Sequence, residues 1–175
     1  MSKYNNLLII TGTGRNSGKT SLACAVVSHM RKLDPVAVKI SPHFHEPGPG
    51  LIEYYSSGKY NIFTETLTGS GKDTSRLLRA GATVVYYIQA NDKYIKEAFY
   101  NLFRNIPASV PVVCESPSLA AHISPAVLFI ADSRQIKNKK DTSRLSARVS
   151  AVFHPLEQEA DLSGLRFTGG CWFFG

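Results

Sequence analysis

Gly12-Thr13-Gly14-Arg15-Asn16-Ser17-Gly18-Lys19-Thr20 is the stretch on which the reading of this chain turns. Residues 7–11 before it (Leu-Leu-Ile-Ile-Thr) are a short apolar, partly β-branched run, the pattern of a buried strand. After it, apolar residues at 22, 26, 30 and 33 recur at helical spacing until Asp34-Pro35 stops the helix. Residues 36–40 are a second apolar run, again a strand. Strand, glycine loop, helix and strand make a βαβ unit, and such units build parallel sheets. A loop passing from a strand into a helix points successive backbone N–H groups at one place, and the helix N-terminus adds the positive end of its dipole. Glycines let that backbone curl around a phosphate chain, Lys19 can reach the outer phosphates, and the Thr20 hydroxyl can ligate Mg²⁺. The general pattern G-x-x-x-x-G-K-[ST] would place its first glycine at position 13, where Thr13 stands between Gly12 and Gly14. With Ser21 in the first helical turn, residues 12–21 form the candidate nucleotide-binding set.

Further along, the alternation continues. Residues 72–80 read as a helix closed by Gly81, 82–90 as a strongly β-type run, and 92–105 as a helix. Residues 110–114, 126–131 and 149–153 read as strands. The stretch 41–70 lacks strong periodicity. It opens with a loop containing His43, His45, Pro47 and Pro49, then turns Tyr/Ser/Gly/Thr-rich, the texture of a short hairpin or a mobile segment. Such a stretch within a compact domain is usually functional or disordered. The expected architecture is a three-layer α/β domain of the P-loop NTPase kind with a mostly parallel sheet. It spans 1–175 as one unit, with an irregular insertion near 41–70.

Composition agrees with one globular domain: 175 residues, 43% hydrophobic and 19% charged. No apolar run approaches the roughly 20 residues of a membrane helix, and the N-terminal stretch shows no secretory signal. Cys24, Cys114 and Cys171 are odd in number and far apart, so free thiols in a reducing, cytoplasmic setting are the simplest account. The net charge of +7 and a pI near 9.4 favour polyanionic ligands without choosing among them. The chain lacks a recognition helix, a basic arm or clustered aromatics on a sheet face, which argues against a nucleic-acid module.

The phosphate-loop segment resembles that of the dethiobiotin synthetase type of P-loop NTPase, which also carries Thr at its second position. Two further stretches narrow the resemblance. Val38-Lys39-Ile40-Ser41-Pro42-His43-Phe44-His45 looks like the Ile-Lys-His-x-His-His segment of the molybdopterin-guanine dinucleotide biosynthesis protein B family. Gly71-Lys72-Asp73-Thr74-Ser75-Arg76-Leu77-Leu78-Arg79-Ala80-Gly81-Ala82 is similar to that family's Gly-Lys-Asp-Ser-x-x-x-x-x-Ala-Gly-Ala stretch. The likeness covers about the first half of the chain. It implies a GTP-binding, dimeric accessory protein with weak GTPase activity in molybdenum-cofactor maturation, assisting a partner protein that joins guanylate to molybdopterin. In that family the strand matching 110–116 usually ends in Glu-Gly; here it ends in Cys114-Glu115-Ser116.

Glu115 keeps the acid expected to hold Mg²⁺ through water or to polarise an attacking water. A carboxylate at the C-terminal end of a buried strand lies where ligands bind in open α/β sheets. Asp132, ending the next strand, is a second candidate for that role. Lys39, on the same rim, is either a phosphate or anionic-substrate contact or a solvated strand end. His43 and His45, two apart, would face one way on an extended segment and can bind a metal or a phosphate, though no further ligands have convincing spacing. Lys72, Asp73 and Arg76 open a helix, where Asp73 can simply complement the dipole. Asn138-Lys139-Lys140-Asp141 spells N-K-x-D, the guanine-reading motif of many GTPases, but its distance from the strand also suits an ordinary polar loop. The apolar C-terminus, Cys171-Trp172-Phe173-Phe174, belongs either in the core as a last strand or in a dimer interface. The competing function is an ATP-dependent small-molecule kinase or ligase, similar to dethiobiotin synthetase, in which Lys39 and the histidine loop hold an acidic acceptor.

Overall fold

The computed structural model describes residues 3–175. Its core is an eight-stranded, mostly parallel mixed sheet in the order β3-β4-β5-β2-β6-β1-β7-β8. The strands are β1 (Lys3–Gly12), β2 (Val36–Ser41), β3 (Leu51–Ser56), β4 (Tyr60–Glu65), β5 (Val84–Ala90), β6 (Val112–Glu115), β7 (Ser124–Ala131) and β8 (Ala151–Phe153). Three α-helices accompany them: α1 (Lys19–His29), α2 (Asp73–Arg79) and α3 (Ile95–Phe103). The central strands are apolar on both faces, as strands covered on both sides must be. Leu8, Ile10, Ala37, Val85 and Val113 pack with Leu22 and Val26 of α1 and Leu77 of α2. Leu7, Ile9, Val38, Ile40 and Ile88 pack on the other face with Phe99 and Leu102 of α3.

The βαβ reading holds with one refinement. β1 and β2 are parallel but not adjacent, because β6 lies between them, with Leu7 opposite Val112 on one side and Val36 opposite Val112 on the other. The insertion expected to be irregular contains a hairpin at 51–65, one of the two readings given for it, between irregular flanks. β3 and β4 form an antiparallel hairpin that pairs through β4 with β5, Ile62 opposite Ile88, and so widens the sheet. Tyr60, Ile62 and Phe63 are buried there, and the β-type residues of that run outweigh its polar neighbours. Only the flanks, 42–50 and 66–72, are irregular.

Strand–helix alternation stops after β6. From β6 to the C-terminus the described residues contain no α-helix, and short 3₁₀ turns stand at Leu119–Ala121 and Ser143–Arg148. The C-terminal run does not join the main sheet, and of its aromatic residues Trp172 is buried while Phe173 is exposed. β9 (Leu165–Thr168) and β10 (Cys171–Phe174) form a separate antiparallel hairpin that lies against the α1 face. Trp172 is 2% exposed there, and its indole N–H donates to the Asn6 carbonyl at 3.0 Å. Phe174 packs edge-on against Phe129. Among the described residues no helix is long and apolar enough to cross a membrane.

The docked hairpin generates a test. Trp172→Ala removes a large buried side chain and orphans the Asn6 carbonyl, and should cost about 3–5 kcal/mol. Urea unfolding followed by circular dichroism would measure it. A loss below about 1 kcal/mol would mean that the hairpin contributes little to the core.

Candidate functional site

The C-terminal rim of the sheet carries one row of facing residues. Ile10 of β1 pairs with Glu115 of β6, Glu115 with Lys39 of β2, and Lys39 with Tyr87 of β5. Paired residues of parallel strands point to the same face, here the face that α1 and α2 cover. Apolar at Ile10, the row turns ionic at Glu115 and Lys39, where the strands run out beneath the loops. That is the position at which open α/β sheets bind ligands.

Into this rim the loop from β1 descends. Asn16 (φ 59°) and Gly18 (φ 86°) both take left-handed conformations. Glycine does so freely and asparagine more readily than most residues. Lys19 heads α1 and its ammonium reaches back across the loop, donating to the Gly14 carbonyl at 2.6 Å and to Ser17 Oγ at 3.4 Å. Burial pushes the Lys19 pKa below the ordinary lysine range, against the pull of Glu115. Thr20 and Glu115, 95 positions apart in the chain, meet: the Thr20 hydroxyl donates to Glu115 Oε2 at 2.9 Å, and Glu115 is 1% exposed.

Thr13, where the general motif has glycine, has its own function in the structure. Its hydroxyl donates to Asp132 Oδ1 at 2.6 Å, its N–H to the Ala131 carbonyl at 3.2 Å, and its carbonyl accepts from the Lys140 N–H at 2.6 Å. Asp132, proposed above as an alternative to Glu115, thus serves as an anchor of the loop. Its second oxygen takes the Lys139 ammonium at 2.7 Å. Burial opposes its ionisation, but the hydrogen bonds from Lys139, Thr13 and Ser133 hold its pKa below the usual aspartate range. The N-K-x-D string is therefore brought against the β1–α1 loop through its two lysines, Lys140 also donating to the Pro117 carbonyl at 2.9 Å. Asp141 is exposed, and one of its oxygens accepts the Ser143 N–H at 2.8 Å.

Lys39 is no solvated strand end. Its ammonium pairs with Glu115 and, at 3.0 Å, with Asp73 of α2. Burial alone would lower its pKa, and the two carboxylates turn the balance upward. Asp73 therefore does more than complement a helix dipole. Burial raises its pKa, while Lys39 and the Thr20 hydroxyl more than reverse this and hold it below the ordinary range. α2 itself is held by a residue that the sequence reading did not single out. Glu65, buried at the end of β4, accepts the Thr74 hydroxyl at 2.6 Å and the N–H groups of Thr66 and Leu67 at 3.0 and 2.9 Å. A glutamate closing an otherwise apolar and β-branched run was the available signal.

Gly12, Gly14, Arg15, Lys19 and Lys39 line one cavity of about 1050 Å³, which continues to His43 and His45. The other expected contacts, Thr20 and Glu115 among them, do not line it. Ser17 is fully buried, Asn16 is exposed, and the Ser21 hydroxyl accepts from Arg76 of α2 at 3.2 Å. The two histidine rings are 6.1 Å apart, and among the described residues no group of three or more His, Cys, Asp or Glu side chains is arranged to hold a metal. Cys24, Cys114 and Cys171 are free, and burial keeps the first two protonated. No family model, curated protein or solved structure matches the chain.

Two substitutions test the ionic row. Lys39→Met leaves Glu115 buried without its cation and should lower stability by about 3–5 kcal/mol, with Glu115→Gln in the same chain restoring most of it. Asp73 is 44% exposed, so Asp73→Asn should cost less than about 1 kcal/mol. A depressed carboxyl pKa contributes stability above its unfolded value, about 4, and loses it as the pH falls through the folded value. Asp73→Asn should accordingly shallow the acid limb of the stability–pH curve. Unchanged urea midpoints for Lys39→Met would refute the row's structural role.

Proposed function

We propose that the chain is a Mg²⁺-dependent nucleoside triphosphate-binding protein of the P-loop type, with GTP as its nucleotide and slow hydrolysis as its intrinsic activity. Following the resemblance in its first half, it would act as a dimeric accessory protein in molybdenum-cofactor maturation, beside a guanylyl-transferring partner. The observation that carries the reading is the meeting of Thr20 and Glu115 at 2.9 Å directly beside Lys19. A hydroxyl at the head of the helix and a buried carboxylate at the end of the adjoining strand suit Mg²⁺, which takes one or two protein oxygens and completes its shell with phosphate and water.

On this reading Lys19 and the loop N–H groups hold the outer phosphates, and Thr20 with Glu115 holds the metal. The metal supplies neutralisation of the charge on the outer phosphates. Lys39 pairs with the carboxylate beneath, and Thr13, Asp132 and Lys139 keep the loop in shape. Catalysis of this kind rests on positioning and electrostatics. No side chain at the rim is placed as a strong general base, in keeping with slow turnover.

A specific observation favours the second reading, an ATP-dependent small-molecule kinase or ligase. The cavity runs on past Lys39 to His43, His45 and Tyr87, so it extends beyond the phosphate loop.

Calorimetric titration with GTP and ATP, each with Mg²⁺, separates these readings. Wild type should bind GTP at micromolar strength and ATP much more weakly, and Lys19→Ala neither. Thr20→Ala should bind GTP with reduced dependence on Mg²⁺. Preference for ATP would favour the kinase reading, and failure of both nucleotides would end both.

A further inference from the structure

The far lobe of the cavity is built as a site in its own right. Its floor is Gln89 of β5, 1% exposed, whose side-chain N–H donates to the His45 carbonyl at 2.7 Å. That bond fastens the 42–50 loop to the sheet. At the start of the same loop, Ser41 Oγ accepts the His43 N–H at 3.2 Å. The imidazoles of His43 and His45 come within 6.1 Å of one another and both line the lobe.

Lys72, at the head of α2, lines it too, and its ammonium reaches the 42–50 loop at Gly48. A Cβ at Gly48 would meet that ammonium, so alanine there would push the amine aside. Among the described residues Lys72 forms no ion pair. Of the acids along the lobe, Asp73 is engaged by Lys39, which leaves Glu46.

We propose that this lobe is a second binding site, for the phosphate group of a small molecule, filled beside the nucleotide and separated from the phosphate loop by Lys39 and Asp73. One ammonium at the head of α2 and two imidazoles on the 42–50 loop bring N–H donors to the same lobe. That suits the three terminal oxygens of a tetrahedral phosphate better than a planar carboxylate. The inference rests on the nucleotide reading only for the order of the two occupants.

The test titrates inorganic phosphate, by calorimetry, into full-length protein carrying Mg²⁺ and a GTP analogue with an imido β–γ bridge, so that the phosphate loop is filled. Wild type should bind phosphate, and Lys72→Ala should weaken it about tenfold. Gly48→Ala, which keeps the lysine but displaces its amine, should do the same. Loss of phosphate binding on the loaded protein, or binding indifferent to both substitutions, overturns the proposal. If the analogue itself does not bind, the nucleotide reading fails separately. The titration is then made on Lys19→Ala, where dependence on Lys72 and Gly48 still supports the second site and indifference still overturns it.

Discussion

The buried pair between Lys39 and Glu115 is the constraint around which this molecule is arranged. Two charges are taken out of water on adjacent strands, which is tolerable only because they are in register and each has further partners. Glu115 accepts Thr20, and Lys39 reaches on to Asp73. The pair therefore ties the head of α1, the end of β6, the end of β2 and the start of α2 into one unit. Three of those places, the head of α1, the end of β2 and the start of α2, also line the cavity. Stability and site draw on the same few side chains, so the rim cannot be altered without moving both.

A second set of bonds works from the other side of the loop. Thr13, Asp132, Lys139 and Lys140 bind the β1–α1 turn to the segment after β7. The loop is thus gripped between the ends of two strands that flank β1. A glycine at position 13 would give a more pliant backbone but no hydroxyl for Asp132. The departure from the general motif exchanges backbone freedom for an anchor.

Much of this was legible in the sequence because it is local. The strand–loop–helix punctuation around 12–20 needs only hydrophobic spacing and glycines, and the expectation of an α/β sheet rests on that together with the alternation that follows it. Glu115 was legible as an acid ending an apolar strand. The partnership of Lys39 with Asp73 was not, since it depends on β6 entering between β1 and β2 and on where α2 lands, both set by long-range packing. Asp132 stood as a second candidate beside Glu115 because a strand-end acid has the same local signature whether it faces a cation or a threonine. Ser, Gly and Asn scattered through 51–65 left a short hairpin and a mobile segment both open, while the burial of Tyr60, Ile62 and Phe63 that decides between them appears only in three dimensions. The loss of alternation after β6 has the same cause: short apolar runs do not reveal what connects them.

The C-terminal hairpin has a consequence of a different kind. The chain has a single tryptophan, and that residue is Trp172, sealed on the face of the sheet with its indole bonded to Asn6 at the start of β1. Intrinsic emission excited at the red edge of the protein band therefore comes from one place, remote from the rim. A blue-shifted spectrum reports that the last hairpin is seated, and a red shift reports water reaching it. Ligand events at the loop leave this chromophore silent unless they travel along β1, so the molecule carries a built-in optical label that separates occupancy of its rim from integrity of its core.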